Sequence, residues 1–235
     1  MANETATRER RRRLNSGAGD ASGGIGGILG RLVEAKVVPV LRSTTPETAA
    51  AAADALAEAG FTVFEITLTT PDAPALIGSL ARRAGVLVGA GTVTTRADAE
   101  RCLAAGARFL VSPCVAPEIV APGHAAGVPV LLGALTPSEV LAARAAEADA
   151  VKIFPVSSVG GPAHVKALRS VFPGVPLVPT GGIAAEEVLD YLDAGAAFVG
   201  MGGRLVDERL AAAGRTAEII ALGRSLRAAL GLAPE

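Results

Sequence analysis

The chain has 235 residues, half of them hydrophobic, and a formal net charge of −1, so it offers no basic footprint for nucleic acid. Two cysteines, Cys102 and Cys114, are too few for a disulfide framework or a zinc site, and His124 and His164 stand in no metal-ligand spacing, so no metal is expected. No cofactor is expected either. No apolar run reaches the roughly 18 residues a membrane span needs, and reduced thiols fit a cytoplasmic protein.

In chain order, five arginines crowd positions 8–13, and Ser/Gly-rich sequence follows to about residue 24. Without an apolar segment behind the charges this is not a secretory signal. Residues 1–24 read as a disordered, solvated extension. Beyond them, over residues 25–235, short apolar runs alternate with longer Ala-rich amphipathic stretches. A short helix is expected over 25–35, then strands at 37–41, 61–66, 86–90, 108–112, 128–132, 150–154, 175–179 and 197–201. Helices are expected to start near Pro46, Pro71, Arg96, Pro117, Pro137, Gly161 and Ala184 and beyond Leu205, several with Pro or Thr-Pro at the start. Gly60, Gly85, Gly106, Gly127 and Gly195 stand where helices should end. Eight βα units in about 200 residues point to an α/β fold, a (β/α)8 TIM barrel with a short N-terminal helix; a doubly wound open sheet alternates the same way, but the count of eight favours the barrel.

Lys152 stands out in this pattern, because the stretch 149–155 (DAVKIFP) reads as a strand that is buried on both faces and yet carries one ammonium. Burying a lone ammonium costs several kcal/mol unless it is paired or neutralised. The neutral amine is a nucleophile for carbonyls. Alternation places Ala150, Lys152 and Phe154 inside the barrel, with Val151 and Ile153 against the helices. On strand two the same rule puts Val63, Glu65 and Thr67 inside and Phe64 and Ile66 outside. Strands two and six face each other across an eight-stranded ring, so Glu65 and Lys152 should meet near the carboxyl-end rim. Such a pair fits either a structural ion pair or Schiff-base chemistry, with Lys152 attacking a ketone and Glu65 moving protons.

Other motifs cluster at the expected rim. Thr180-Gly181-Gly182-Ile183 follows strand seven, and Gly200-Met201-Gly202-Gly203 ends strand eight, where barrels hold phosphate on backbone N–H groups; each glycine pair also fits a plain tight turn. The run 89–93 (GAGTV) fits close strand packing or an open rim with a Thr92 hydroxyl for a carboxylate, and Ser112-Pro113 ends strand four. Arg42 ends strand one as either a rim cation or a surface arginine.

Together the motifs VPVLR (38–42), FEITLT (64–69), GAGTV (89–93), Ser112-Pro113, VKIFP (151–155) and TGGI (180–183) resemble the 2-keto-3-deoxy-6-phosphogluconate (KDPG) and 4-hydroxy-2-oxoglutarate aldolase family, in family order over about residues 30–208. The resemblance implies a class I, metal-independent aldehyde-lyase on a (β/α)8 fold, assembled as a homotrimer, of the kind that serves the Entner–Doudoroff pathway. It assigns Lys152 as the Schiff-base lysine and Glu65 as the general acid/base. It places Thr92, Pro113 and Phe154 around a bound pyruvate moiety, Thr180 at a position affecting stereochemical choice, and Gly181 and Gly182 at the phosphate. Two departures are visible. Thr69 stands where some members carry arginine, with Arg42 on the neighbouring strand as a substitute cation; Arg204, after Gly202 and Gly203, stands where some members carry serine.

The expected activity is cleavage of KDPG to pyruvate and glyceraldehyde 3-phosphate, on a phosphorylated keto-acid substrate with no nucleic-acid or membrane partner. The alternatives are 4-hydroxy-2-oxoglutarate cleavage, needing no phosphate site, and the phosphogalactonate-derived epimer, which the 155–162 stretch resembles somewhat. More distant are an isomerase barrel that forms no imine and a non-catalytic ligand binder.

Overall fold

In the computed structural model, residues 23–232 are described; nearly all of the expected N-terminal extension lies outside them. Helix α1 (Ile25–Ala35) precedes eight strands: β1 (Val37–Leu41), β2 (Val63–Thr67), β3 (Leu87–Gly91), β4 (Leu110–Val111), β5 (Val130–Ala134), β6 (Ala150–Ile153), β7 (Leu177–Pro179) and β8 (Val199–Met201). Between and after them run α2 (Pro46–Glu58), α3 (Ala73–Ala81), α4 (Arg96–Ala104), α5 (Val120–Ala125), α6 (Pro137–Ala145), α7 (Pro162–Val171), α8 (Val188–Asp193), α9 (Glu208–Ala212) and α10 (Thr216–Ala229). All strand pairs are parallel, in the order β7-β6-β5-β4-β3-β2-β1-β8. A bridge between Thr180 and Gly200, with Ala197 N–H donating to Leu177 O at 2.8 Å, joins β7 to β8 and closes the ring. This is the expected (β/α)8 barrel.

Three threonines start helices as expected. Thr45, Thr95 and Thr136 each accept the N–H three residues on, and Thr136 with Glu139 forms a full capping box. Every glycine expected to end a helix has a positive φ. Most strands begin one or two residues later than expected. Pro129 and Pro176, the second residues of two expected strands, have no N–H for a ladder. The helix expected near Pro71 begins at Ala73, and those expected near Pro117 and Ala184 open with a 3-10 turn. The helix expected beyond Leu205 is two, α9 and α10.

Two cores follow from the two faces of the strands. Outside the barrel, Phe64, Ile66, Val88, Leu132, Val151, Ile153 and Leu177 pack against the helices, where the alanines of α2 (Ala49, Ala52, Ala53, Ala55) let helix and sheet approach closely. Inside, Val38, Val63, Leu87, Phe109, Leu131, Ala150, Val178 and Phe198 form a second cluster. Ile28 and Leu32, one helical turn apart on α1, complete that cluster from below, so α1 stoppers the amino end. The apolar plug leaves the opposite, carboxyl end as the open mouth. Among the described residues no helix is long and apolar enough to cross a membrane.

Candidate active site

Among the described residues, the buried polar side chains are Ser43, Glu65, Thr67, Thr70, Ser112, Lys152 and Thr180, all on the carboxyl-end halves of strands or in the loops that follow them. Polar groups removed from water need partners, so their confinement to one end marks the one part of the interior built for chemistry.

Lys152 and Glu65 meet there as expected. Nζ lies 3.4 Å from Oε1, and the side chains are 7% and 6% exposed. A closed ammonium–carboxylate bond is typically about 2.7–2.9 Å. The longer gap keeps the two in electrostatic contact without locking the amine. Phe154, one strand step beyond, places its ring centroid 5.4 Å from Nζ, a cation–π distance that holds the lysine head laterally.

The surrounding loops converge on this pair. Gly91 has no side chain, and a Cβ there would collide with the Glu65 carboxylate. Thr92 follows with φ +61, rare for a β-branched residue, and such a conformation stores about 1–3 kcal/mol of strain. Its neighbours fix it: Leu68 N–H donates to Gly91 O at 2.9 Å, and Val93 N–H donates to Val111 O at 3.1 Å. Pro113 is half-buried, and its loop is pinned by Cys114 N–H donating to Ser112 Oγ at 3.3 Å and Gly133 N–H donating to Cys114 O at 3.0 Å. Gly133 is bare because any Cβ would strike the Pro113 backbone.

Thr180 is buried on the β7 side of the mouth, against Gly200. The loops after β6 and β7 are zipped together by Val156 N–H to Thr180 O at 3.0 Å and Ser157 N–H to Gly181 O at 3.3 Å. Gly181 and Gly182 have φ of +98 and +79. Among the described residues no hydrogen bond takes the N–H of Gly182 or Gly203. Exposed Gly203 follows half-buried Gly202 directly after β8, the strand joined to β7. Free N–H groups on paired loops can donate to a bound anion.

Arg42 and Thr69 are both exposed at the rim. Arg42 makes no hydrogen bond or ion pair among the described residues, which leaves its guanidinium available to a ligand. Its loop is held firmly. Ser43 N–H donates to Thr70 Oγ1 at 3.1 Å, while Glu208 Oε1 accepts from Ser43 Oγ at 2.9 Å, Thr44 N at 2.5 Å and Thr44 Oγ1 at 2.6 Å. These bonds hold the Glu208 carboxyl below the usual carboxylate range. Sequence reasoning missed Glu208 and Gly133; an acidic residue at the start of a helix signals only the helix itself. Arg204 is exposed. No group of three or more His, Cys, Asp or Glu side chains among the described residues could hold a metal ion.

The chain has relatives among known proteins. The family model described as KDPG and KHG aldolase matches residues 28–222. The chain belongs to the KDPG and KHG aldolase family. A Rhizobium meliloti protein named as a probable 2-dehydro-3-deoxy-6-phosphogalactonate aldolase is 39% identical over 176 residues, covering 74% of this chain and 82% of its own. A Treponema pallidum 2-dehydro-3-deoxy-phosphogluconate aldolase is 33% identical over 206 residues, covering 87% and 98%. The crystal structure of a KDPG aldolase from Legionella pneumophila, with pyruvate captured as a covalent carbinolamine, superposes with a TM-score of 0.77 at 33% identity, over 84% of this chain and 97% of that one. The aldolase family, the aldehyde-lyase class and the barrel expected from sequence are thus established.

Proposed function

We propose that the chain cleaves 2-keto-3-deoxy-6-phosphogluconate to pyruvate and glyceraldehyde 3-phosphate through an imine on Lys152. The observation that carries this reading is the buried 3.4 Å Lys152–Glu65 pair at the open end of the barrel. The Lys152 amine adds to the C2 ketone to give a carbinolamine, which loses water to form an iminium. Glu65 takes the proton of the C4 hydroxyl. The C3–C4 bond breaks, its electrons pass into the iminium to give an enamine, and the aldehyde leaves. Glu65, now protonated, returns the proton toward C3, and water hydrolyses the resulting iminium to pyruvate and the free amine. Arg42 and Thr92 orient the carboxylate, Pro113 and Phe154 wall the pyruvyl carbons, and Thr180 faces the C4 centre. The Gly181–Gly182 and Gly202–Gly203 loops hold the phosphate.

A second reading is the phosphogalactonate-derived epimer at C4, which the 39% identity to the Rhizobium meliloti protein favours. Side-by-side pyruvate release from the two phosphorylated keto acids and from 4-hydroxy-2-oxoglutarate decides among them. A dominant rate on the last, insensitive to inorganic phosphate, would overturn the phosphate assignment. Borohydride with pyruvate should add a stable mass to Lys152; its absence would sink the imine. The trimer implied by family resemblance is checked by light scattering.

A further inference from the structure

Helix α1 does not seal the amino end of the barrel evenly. Between α1 and the chain entering β3 and β4 lies a cavity of about 370 Å3, inside the range of small-molecule pockets, which begins near roughly 300 Å3. Its apolar walls are Ile28 from α1, Ala81 at the end of α3, and Val86, Leu87 and Val88 where β3 begins. Two guanidiniums complete the lining. Half-buried Arg31 donates to Gly85 O at 2.7 Å, and exposed Arg108 donates to Gly23 O at 2.9 Å. A guanidinium carries five N–H donors, so one carbonyl leaves most of them unspent. Among the described residues neither arginine has a carboxylate partner, and no acid lines the cavity. Cations over apolar walls complement an anion with an apolar body. The hollow on the other side of Arg31 lacks that character, being about 180 Å3 with Glu34 in its lining.

We propose that this cavity is a second ligand site, for a short aliphatic carboxylic acid, at the end of the barrel opposite the Lys152–Glu65 pair. The carboxylate meets Arg31 and Arg108, and the chain lies along Ile28, Val86 and Leu87. The packed interior cluster that includes Val63, Phe109 and Leu131 separates this site from the mouth, so the proposal stands apart from the aldolase reading. A bound acid touches both α1 and the start of β3. It therefore clamps the stopper to the ring and stabilises the folded chain by mass action.

Equilibrium dialysis of labelled acetate, butanoate, hexanoate and hexanol against the full-length protein at low salt tests the site. Each added methylene of the acids should tighten binding by about three- to fourfold, as burial in an apolar cavity does. Hexanol, which has the chain without the charge, should bind about tenfold more weakly than hexanoate. Arg108→Ala should weaken hexanoate by about three- to tenfold and leave hexanol unchanged. Ala81→Leu fills the cavity, keeps both cations and should erase the chain-length trend. Arg42→Ala, altered at the opposite rim, should bind hexanoate as the wild type does. An affinity of the wild type that does not rise with chain length overturns the proposal without any variant. So does undiminished hexanoate binding by Arg108→Ala, or its loss in Arg42→Ala, which would place the acid at the mouth.

Discussion

Gly91 leaves empty the volume that the Glu65 carboxylate occupies: a Cβ on Gly91 would overlap both Oε1 and Cδ of that side chain. The two residues sit on adjacent paired strands, β2 and β3, so the conflict cannot be relieved by moving a loop. Gly91→Ala should push Glu65 out of its 3.4 Å contact with Lys152. Turnover should fall by about a hundredfold or more, the scale of losing the general acid/base proposed in Glu65, with overpacking costing about 1–3 kcal/mol of stability. Steady-state kinetics together with urea unfolding check both; a variant with wild-type kcat would show that the carboxylate has room the structure does not show.

Glu208 ties the loop after β1 to the helix after β8, and its carboxyl is held below the usual range by backbone and side-chain hydrogen bonds from Thr44 and one from Ser43. A lowered folded value means the ionised form is favoured by folding. Its contribution is complete above the ordinary glutamate range and is lost as the pH falls below about 4. Glu208→Ala should therefore be less stable than wild type at pH 7, and urea midpoints of the two should converge in acid. Because Arg42 rides on the clamped loop, the same variant should raise KM for the keto acid severalfold with a smaller change in kcat. A midpoint difference that does not shrink as the pH is lowered would remove the carboxylate from this role.

The pairing of Lys152 with Glu65 was legible because it depended on local pattern. A lysine in a strand of otherwise apolar residues, and a glutamate in register on the strand opposite, needed only two-residue alternation and the eightfold count to be brought together. What the sequence hid was everything joining distant segments. Nothing near Ser43 or Thr44 announces a carboxylate 164 residues away, and nothing near Gly133 announces the Pro113 backbone lying over it. The α1 helix was expected, but its task of stoppering the barrel through Ile28 and Leu32 depends on which end of the ring it lies across. Strand starts slipped by a residue or two because apolar residues preceding a strand look like strand before they join the ladder.

The two thiols should behave differently. Cys102 is fully buried on α4, and burial pushes its thiol up to about 11, whereas Cys114 is exposed beside Pro113. Only thiolates react readily, so a disulfide reagent at pH 8 should titrate one thiol of the native protein quickly and the second only on unfolding. Two fast thiols in native buffer would contradict the packing of α4 against the barrel. Peptide mapping should place the label on Cys114.

Gly182 is constrained twice, by its φ of +79 and by Ser157, whose Oγ and Cβ fill the space a side chain would need. Gly182→Ala should thus cost about 1 kcal/mol from the left-handed backbone alone, plus a clash that drives the loop after β6 away from the loop after β7. Its N–H is one of those proposed to meet the phosphate, so KM for phosphorylated substrate should rise while borohydride trapping of unphosphorylated pyruvate on Lys152 continues. Pairing it with Ser157→Gly removes the clash and leaves the backbone term. The double variant should recover part of the lost affinity, a positive coupling between neighbours that a thermodynamic cycle measures directly. Strictly additive losses would mean that Ser157 and Gly182 do not share that space, and the loop would then owe its shape to Gly182 alone.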